Sequence, residues 1–233
     1  MARIRALFLM GFWFASIGLM GPLAILLRII TGSESCIFVP TRLAVRIGLA
    51  FVGVRVRVVG AGLLARRQHY MFTPNHQSFI EVPLLLSYLR RNLGYLAKKE
   101  LFRYPVFGWG LRLMGVVPVD RRDSKAAVDS ARAATERMRG GKDYVVYPEG
   151  TRSPDGRLLP FKKGAFLMAL DAGVPLVPVS ISGSNRVMPK GEARIYPDEI
   201  TITIHPPIPI EAYSRDNVQD LMDLTRARIQ SAL

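Results

Sequence analysis

From residue 54 onward, apolar runs of strand length alternate with segments of helical period, an order that suits a sheet flanked by helices and little else. Residues 54–59 alternate valine with arginine, as a half-exposed strand does, and 69–73 reads as the next strand. A helix over 79–90 follows, then a strand at 93–97, a helix over 106–114 and a strand at 116–119. Ser124 is placed to cap a helix that runs to Arg139 and stops at Gly140-Gly141. Strand 143–147, helix 162–172 and strand 176–181 continue the pattern. Two further strands are expected at 194–196 and 200–205, and Ser214 would cap a last helix reaching about residue 232. The expected fold class is α/β, with a largely parallel or mixed sheet between helices.

Residues 6–27 carry no charge, and the apolar character continues to Ile30. As a helix the run would extend roughly 33 Å, enough to cross a hydrocarbon core. Arg3 and Arg5 precede it and Arg28, Arg42 and Arg46 follow, so charge bias does not decide an orientation. Gly21-Pro22 could break the run into a re-entrant hairpin, and a cleaved signal peptide fits less well because no clean small-residue cleavage site follows. A second helix is expected from Pro40 to about Val52, with Arg42 and Arg46 on one face and Leu43, Ile47 and Ala50 on another. It suits either a bilayer interface or ordinary packing. The organisation expected is therefore residues 1–52 as membrane-anchoring helices and residues 53–233 as the α/β domain.

Charge supports that division. The chain carries a net +14 with 49% hydrophobic residues, and residues 1–67 hold nine arginines against one acid, Glu34. A negative, apolar surface such as the cytoplasmic face of a bilayer fits both properties. Nucleic acid fits poorly, since there are no paired Cys/His fingers and no aromatic-basic RNA signature. The single cysteine, Cys36, excludes an intrachain disulfide and fits a reducing compartment.

Chemistry gathers at three strand ends. The first is Asn75-His76-Gln77-Ser78-Phe79-Ile80-Glu81. An imidazole oriented by a carboxylate can take a proton from a hydroxyl near neutral pH, and Glu81 is close enough to His76 to supply that carboxylate. The same spacing matches a capping box, with Glu81 reaching back to the Ser78 N–H. No G-x-S-x-G elbow surrounds Ser78, which argues against a serine hydrolase. The second is Tyr147-Pro148-Glu149-Gly150-Thr151-Arg152-Ser153, where Arg152 can fork onto phosphate oxygens with hydroxyl and N–H donors beside it. The third places Lys98 and Arg121 after short apolar strands, on the edge where His76 and Arg152 emerge.

These blocks, with Val174-Pro175-Leu176-Val177-Pro178-Val179, resemble in kind and order the motifs of the glycerolipid acyltransferase family. One departure is visible: the family has aspartate where this chain has Glu81. The resemblance implies that His76 is the general base and Glu81 its orienting partner. It implies that Arg152, Arg121, Lys98, Thr151 and Ser153 hold a substrate phosphate, with Asn75, Ser78, Glu149, Gly150 and Pro178 supporting the motifs. No metal and no cofactor are implied, because acyl-CoA or acyl-carrier-protein enters as the acyl-donor substrate. The implied acceptor is a lysophospholipid, by default 1-acyl-sn-glycerol-3-phosphate giving phosphatidic acid, with another lysolipid such as lyso-ornithine lipid as the alternative. The implied setting is the cell inner membrane among its lipids, with the catalytic domain on the cytoplasmic side. A reading outside the family is a non-catalytic, basic, membrane-associated scaffold.

Overall fold

The structure, a computed structural model, describes residues 1–120 and 122–233. Among these residues seven strands form one sheet: β1 (Arg55–Val59), β2 (Met71–Pro74), β3 (Leu93–Lys98), β4 (Val117–Val119), β5 (Asp143–Val145), β6 (Leu176–Ser182) and β7 (Glu199–Ile204). Their spatial order is β1-β7-β6-β2-β5-β3-β4. Neighbours pair in parallel except β6 and β7, so the sheet is mixed. Composition explains the order. All four residues of β2 and six of the seven in β6 are buried, as strands covered on both faces must be. Edge strand β1 alternates exposed arginine with half-buried valine.

Among the described residues eight α-helices surround the sheet: α1 (Ala2–Thr31), α2 (Ser35–Phe51), α3 (Glu81–Tyr88), α4 (Pro105–Leu113), α5 (Ser124–Arg139), α6 (Lys163–Ala172), the single turn α7 (Ser184–Val187) and α8 (Val218–Gln230). One apolar cluster joins α1, α2, α3 and α4 to one face, including Leu9, Phe38, Leu49, Leu84 and Ile200. A second, with Met138, Phe166, Leu176 and Leu221, joins α5, α6 and α8 to the other. The first two helices therefore share a core with the sheet.

Several local expectations change. Residues 194–196 form no strand; the Ile195 N–H donates to Ala2 O at the start of α1 and the Tyr196 N–H to Val187 O beside α7. Asp123, not Ser124, caps α5, accepting from the Lys125 and Ala126 N–H groups. Ser214 lies in a turn ahead of α8, where Asn217 Oδ1 accepts its N–H at 2.6 Å. Helix α3 starts only at Glu81, and α2 starts five residues before Pro40.

Gly21-Pro22 leaves α1 unbroken, a helix of 30 residues and about 45 Å. Among the described residues it alone is long and apolar enough to cross a membrane, and 6% of its most apolar window is buried. It nevertheless lies along the domain. A Cβ on Gly48 of α2 would fall 2.7 Å from both Leu9 and Trp13, and one on Gly21 would fall 2.6 Å from Val106 of α4. The bend after α1 is held by Glu34, whose carboxylate accepts from Lys142 Nζ at 2.6 Å.

Helix α2 turns its arginines towards the domain. Arg42 donates to Leu86 O and Asn92 Oδ1, and Arg46 donates to Ser87 O at 2.8 Å. The arginines thus satisfy carbonyls at the C-terminal end of α3 that lack helical partners. Leu43, Ile47 and Phe51 face outward, as do Leu7, Phe14, Leu19, Leu23 and Leu26 of α1. Helix α2 buries Ile37, Phe38, Val45 and Leu49 against the domain and still exposes a second apolar face, and soluble proteins rarely leave such a patch without a partner surface.

Candidate functional site

Strands β2, β5, β3, β4 and β6 run parallel, so their C-terminal ends share one edge with β2 at its centre. Open α/β sheets collect their ligand-facing groups on this edge. Beyond Pro74, the Asn75 side chain continues the ladder in place of backbone, its Oδ1 accepting from the Ile181 N–H at 2.7 Å and its Nδ2 donating to Ile181 O at 3.0 Å. The chain then turns outward at His76.

His76 Nδ1 lies 2.7 Å from Glu81 Oε2. Glu81 is fully buried, which demands donors. Its Oε1 accepts from the Gln77 N–H at 2.9 Å, the Ser78 N–H at 3.0 Å and the Ser184 hydroxyl at 2.6 Å. The two readings of the spacing therefore coexist: Oε1 braces the turn, and Oε2 faces the imidazole while also accepting the Gln77 N–H at 3.2 Å. Ser78 completes only half of the capping box: its N–H reaches Glu81 Oε1, while its hydroxyl accepts the Ile80 N–H at 3.4 Å and donates to Met188 O at 2.7 Å. Buried and engaged there, it is not placed as a nucleophile.

With Oε1 occupied by donors, the proton between Glu81 and His76 belongs on Nδ1, which leaves Nε2 a lone pair. No described group bonds Nε2, and 13% of the His76 side chain reaches solvent. The ring stacks on Tyr147, centroids 3.9 Å apart. The Tyr147 hydroxyl is buried without a partner among the described residues, and burial drives the phenol well above its ordinary range, so it stays neutral.

The segment after β5 is tied to the same turn. Glu149 accepts the His76 N–H at 2.6 Å and the Leu159 N–H at 2.8 Å, and the Ser153 N–H donates to His76 O at 2.7 Å. Arg152 therefore lies one residue from a direct backbone contact with His76. Its side chain is half-buried, and no described residue pairs with its guanidinium. Gly150 closes the turn by donating its N–H to Tyr147 O at 3.1 Å. Thr151 is exposed, whereas Ser153 is buried with its hydroxyl on Asp155 at 3.0 Å, a partner that occupies the donor expected for phosphate.

Burial pushes the Glu149 carboxyl up to about 7, against the pull of the Leu159 and His76 N–H bonds. Because the folded value lies above the ordinary 4.5, Glu149 costs the fold stability as pH rises from about 4.5 to about 7. Melting temperature should fall across that window in the wild type more steeply than in Glu149→Gln; parallel slopes would show that Glu149 does not titrate there.

The remaining expected residues spread along the edge. Lys98 ends β3, two strands from β2, with Glu100 3.8 Å away. Arg121 lies outside the described residues. Pro178 sits within β6 in register with Thr73. The other histidines are elsewhere: His69 is 3.7 Å from Asp143 at the start of β5, and His205 contacts Ser180 at 2.8 Å. Among the described residues no group of three or more His, Cys, Asp or Glu side chains could hold a metal ion. Ser184 and Tyr147 are site residues that sequence reasoning did not single out. Tyr147 could have been suspected from its place just before Pro148-Glu149, but nothing local marks Ser184.

Comparisons with known proteins find similarity in both sequence and fold. The family model described as Acyltransferase matches residues 55–182. A chloroplastic 1-acyl-sn-glycerol-3-phosphate acyltransferase of Brassica napus is 42% identical over 139 residues, 59% of this chain and 40% of that protein. The human 1-acyl-sn-glycerol-3-phosphate acyltransferase alpha is 33% identical over 175 residues, covering 75% of this chain and 62% of that one. The match thus spans about two-fifths of the Brassica protein's length. The crystal structure of the 1-acyl-sn-glycerophosphate (LPA) acyltransferase PlsC from Thermotoga maritima superposes with a TM-score of 0.82 at 26% identity, covering 99% of this chain and 96% of that one.

Proposed function

This chain belongs to the acyltransferase family, and from that premise we propose that it moves a fatty acyl group from a thioester to the free hydroxyl of 1-acyl-sn-glycerol-3-phosphate, giving phosphatidic acid. The observation that carries the proposal is the His76 imidazole, with Nδ1 held by a buried carboxylate and Nε2 free. Nε2 takes the proton from the acceptor hydroxyl as its oxygen attacks the thioester carbonyl. The tetrahedral intermediate collapses, the C–S bond breaks, and the imidazolium returns its proton to the leaving thiolate. Glu81 holds the tautomer and stabilises the charged ring between the two transfers. No covalent acyl-enzyme is required. Acyl-CoA or acyl-carrier-protein serves as substrate, and no metal or cofactor enters the scheme.

Arg152 is the proposed anchor of the acceptor phosphate, with Thr151, Lys98 and Arg121 adding charge or donors along the edge. Its position one residue from the His76 contact supports this, since a clamped phosphate fixes the hydroxyl for attack. The outward apolar face of α1 and α2 and the +14 charge support membrane association, which we place at the cytoplasmic side of the cell inner membrane.

Purified protein with lysophosphatidic acid and either donor should form phosphatidic acid; no transfer from either donor would overturn the proposal. Arg152→Ala should raise KM for lysophosphatidic acid by about 10- to 100-fold, the worth of charge-assisted hydrogen bonds, with kcat less affected. Acylation of lyso-ornithine lipid, which lacks the phosphate, should be unmoved by that change. An unchanged KM for lysophosphatidic acid would remove Arg152 from phosphate binding.

A further inference from the structure

Ser184 lies 103 residues beyond Glu81, yet its hydroxyl donates to Glu81 Oε1 at 2.6 Å. The residue is fully buried, so the hydroxyl cannot reach a substrate. It opens the turn α7, directly after the C-terminal end of β6. The far end of that turn is also tied to the site: the Met188 N–H donates to Ser184 O at 2.9 Å, and Met188 O accepts the Ser78 hydroxyl at 2.7 Å. One residue past Pro189, Lys190 Nζ donates to Arg152 O at 2.6 Å. The segment after β6 therefore grips the 78–81 turn at two points and the Arg152 loop at a third.

We infer that Ser184 is a positioning residue for the proposed reaction, setting the charge and direction of the Glu81 carboxylate that orients His76. The inference rests on the general-base role proposed for His76. Two backbone N–H groups already anchor Oε1, so removing the Ser184 hydroxyl leaves Glu81 in place. What changes is the electron density on the carboxylate. With one donor fewer, Glu81 holds the imidazolium more tightly, and the ring surrenders its proton to the leaving thiolate less readily. Tyr147 and Glu149, the other titratable groups against the pair, are untouched by the substitution.

Ser184→Ala should lower kcat by about tenfold, in line with loss of one hydrogen bond to a charged group. The acid limb of the kcat/KM profile should move to higher pH, and KM for donor and acceptor should stay within about twofold of wild type. Ser184→Cys, which is slightly larger and keeps a weaker donor, should fall between; it also reads the effect if the alanine variant does not fold. Wild-type kcat and pH profile in both variants would overturn the inference, as would a raised KM with kcat unchanged. His76→Ala run alongside separates the two levels. Full activity in that variant defeats the proposed function itself. An inactive His76→Ala beside an unaffected Ser184→Ala defeats only the role of Ser184.

Discussion

Replacing His76 with alanine should cut acyl transfer by roughly 10²- to 10⁴-fold, the usual worth of a positioned general base. The fall should appear in kcat, read as thiol release from the acyl donor, with KM for both substrates little changed. No other imidazole can stand in, because His69 and His205 sit against Asp143 and Ser180 elsewhere in the fold. The residual rate would reflect alignment of hydroxyl and thioester alone. Folding should survive, since what is lost is a ring stacked on Tyr147 and one bond to Glu81. Wild-type transfer by a folded His76→Ala protein would leave the proposed mechanism without its base.

Glu81→Gln should be nearly as damaging, and for a reason the geometry makes specific. Oε1 receives three donors, from Gln77, Ser78 and Ser184. A glutamine can satisfy them only by placing its carbonyl there, which turns its NH₂ towards His76 Nδ1. Nδ1 must then accept, the proton moves to Nε2, and the nitrogen that should take a proton already carries one. A loss of roughly 10²- to 10⁴-fold follows, as expected when a carboxylate partner becomes an amide and fixes the wrong tautomer. Stability should move little, because the three bonds to the carbonyl position are kept and only the longer Gln77 N–H bond to Oε2, at 3.2 Å, is lost. Glu81→Ala strips both functions and leaves buried donors unmet, at about 1–3 kcal/mol for each. Near-normal turnover in folded Glu81→Gln would confine Glu81 to bracing the turn.

The chemistry of 75–81 was readable because it is local: His76 and Glu81 are five residues apart and meet within one turn. Locality also kept the cap and the catalytic pair apart on paper, since spacing says nothing of which oxygen faces which donor. Ser184 was invisible for the opposite reason, its partner being 103 residues away and its place set by the pairing of β6 with β2. The alternation of strands and helices gave the sheet because buried central strands must be apolar throughout, as β2 and β6 are. It failed at 194–196, where the Ile195 and Tyr196 N–H groups donate to Ala2 O at the start of α1 and to Val187 O in α7 instead of to a strand. Helix α2 was compatible with either an interface or ordinary packing. Position on a face does not say which face is inward, and here the carbonyls ending α3 drew the cations in.

The fastening of α1 carries a further consequence. A domain hung on a flexible tether samples many heights above a surface, and meets surface-bound molecules at an effective concentration set by tether length. Here contacts at Ala2, Gly21 and Glu34 leave no slack between the outward apolar face and the sheet. The height and tilt of His76 over any surface that face meets are thus dimensions of the fold. One residue inserted in the middle of α1 would not lengthen a leash. It would swing half of that face about 100° around the helix axis, away from the plane it shares with α2.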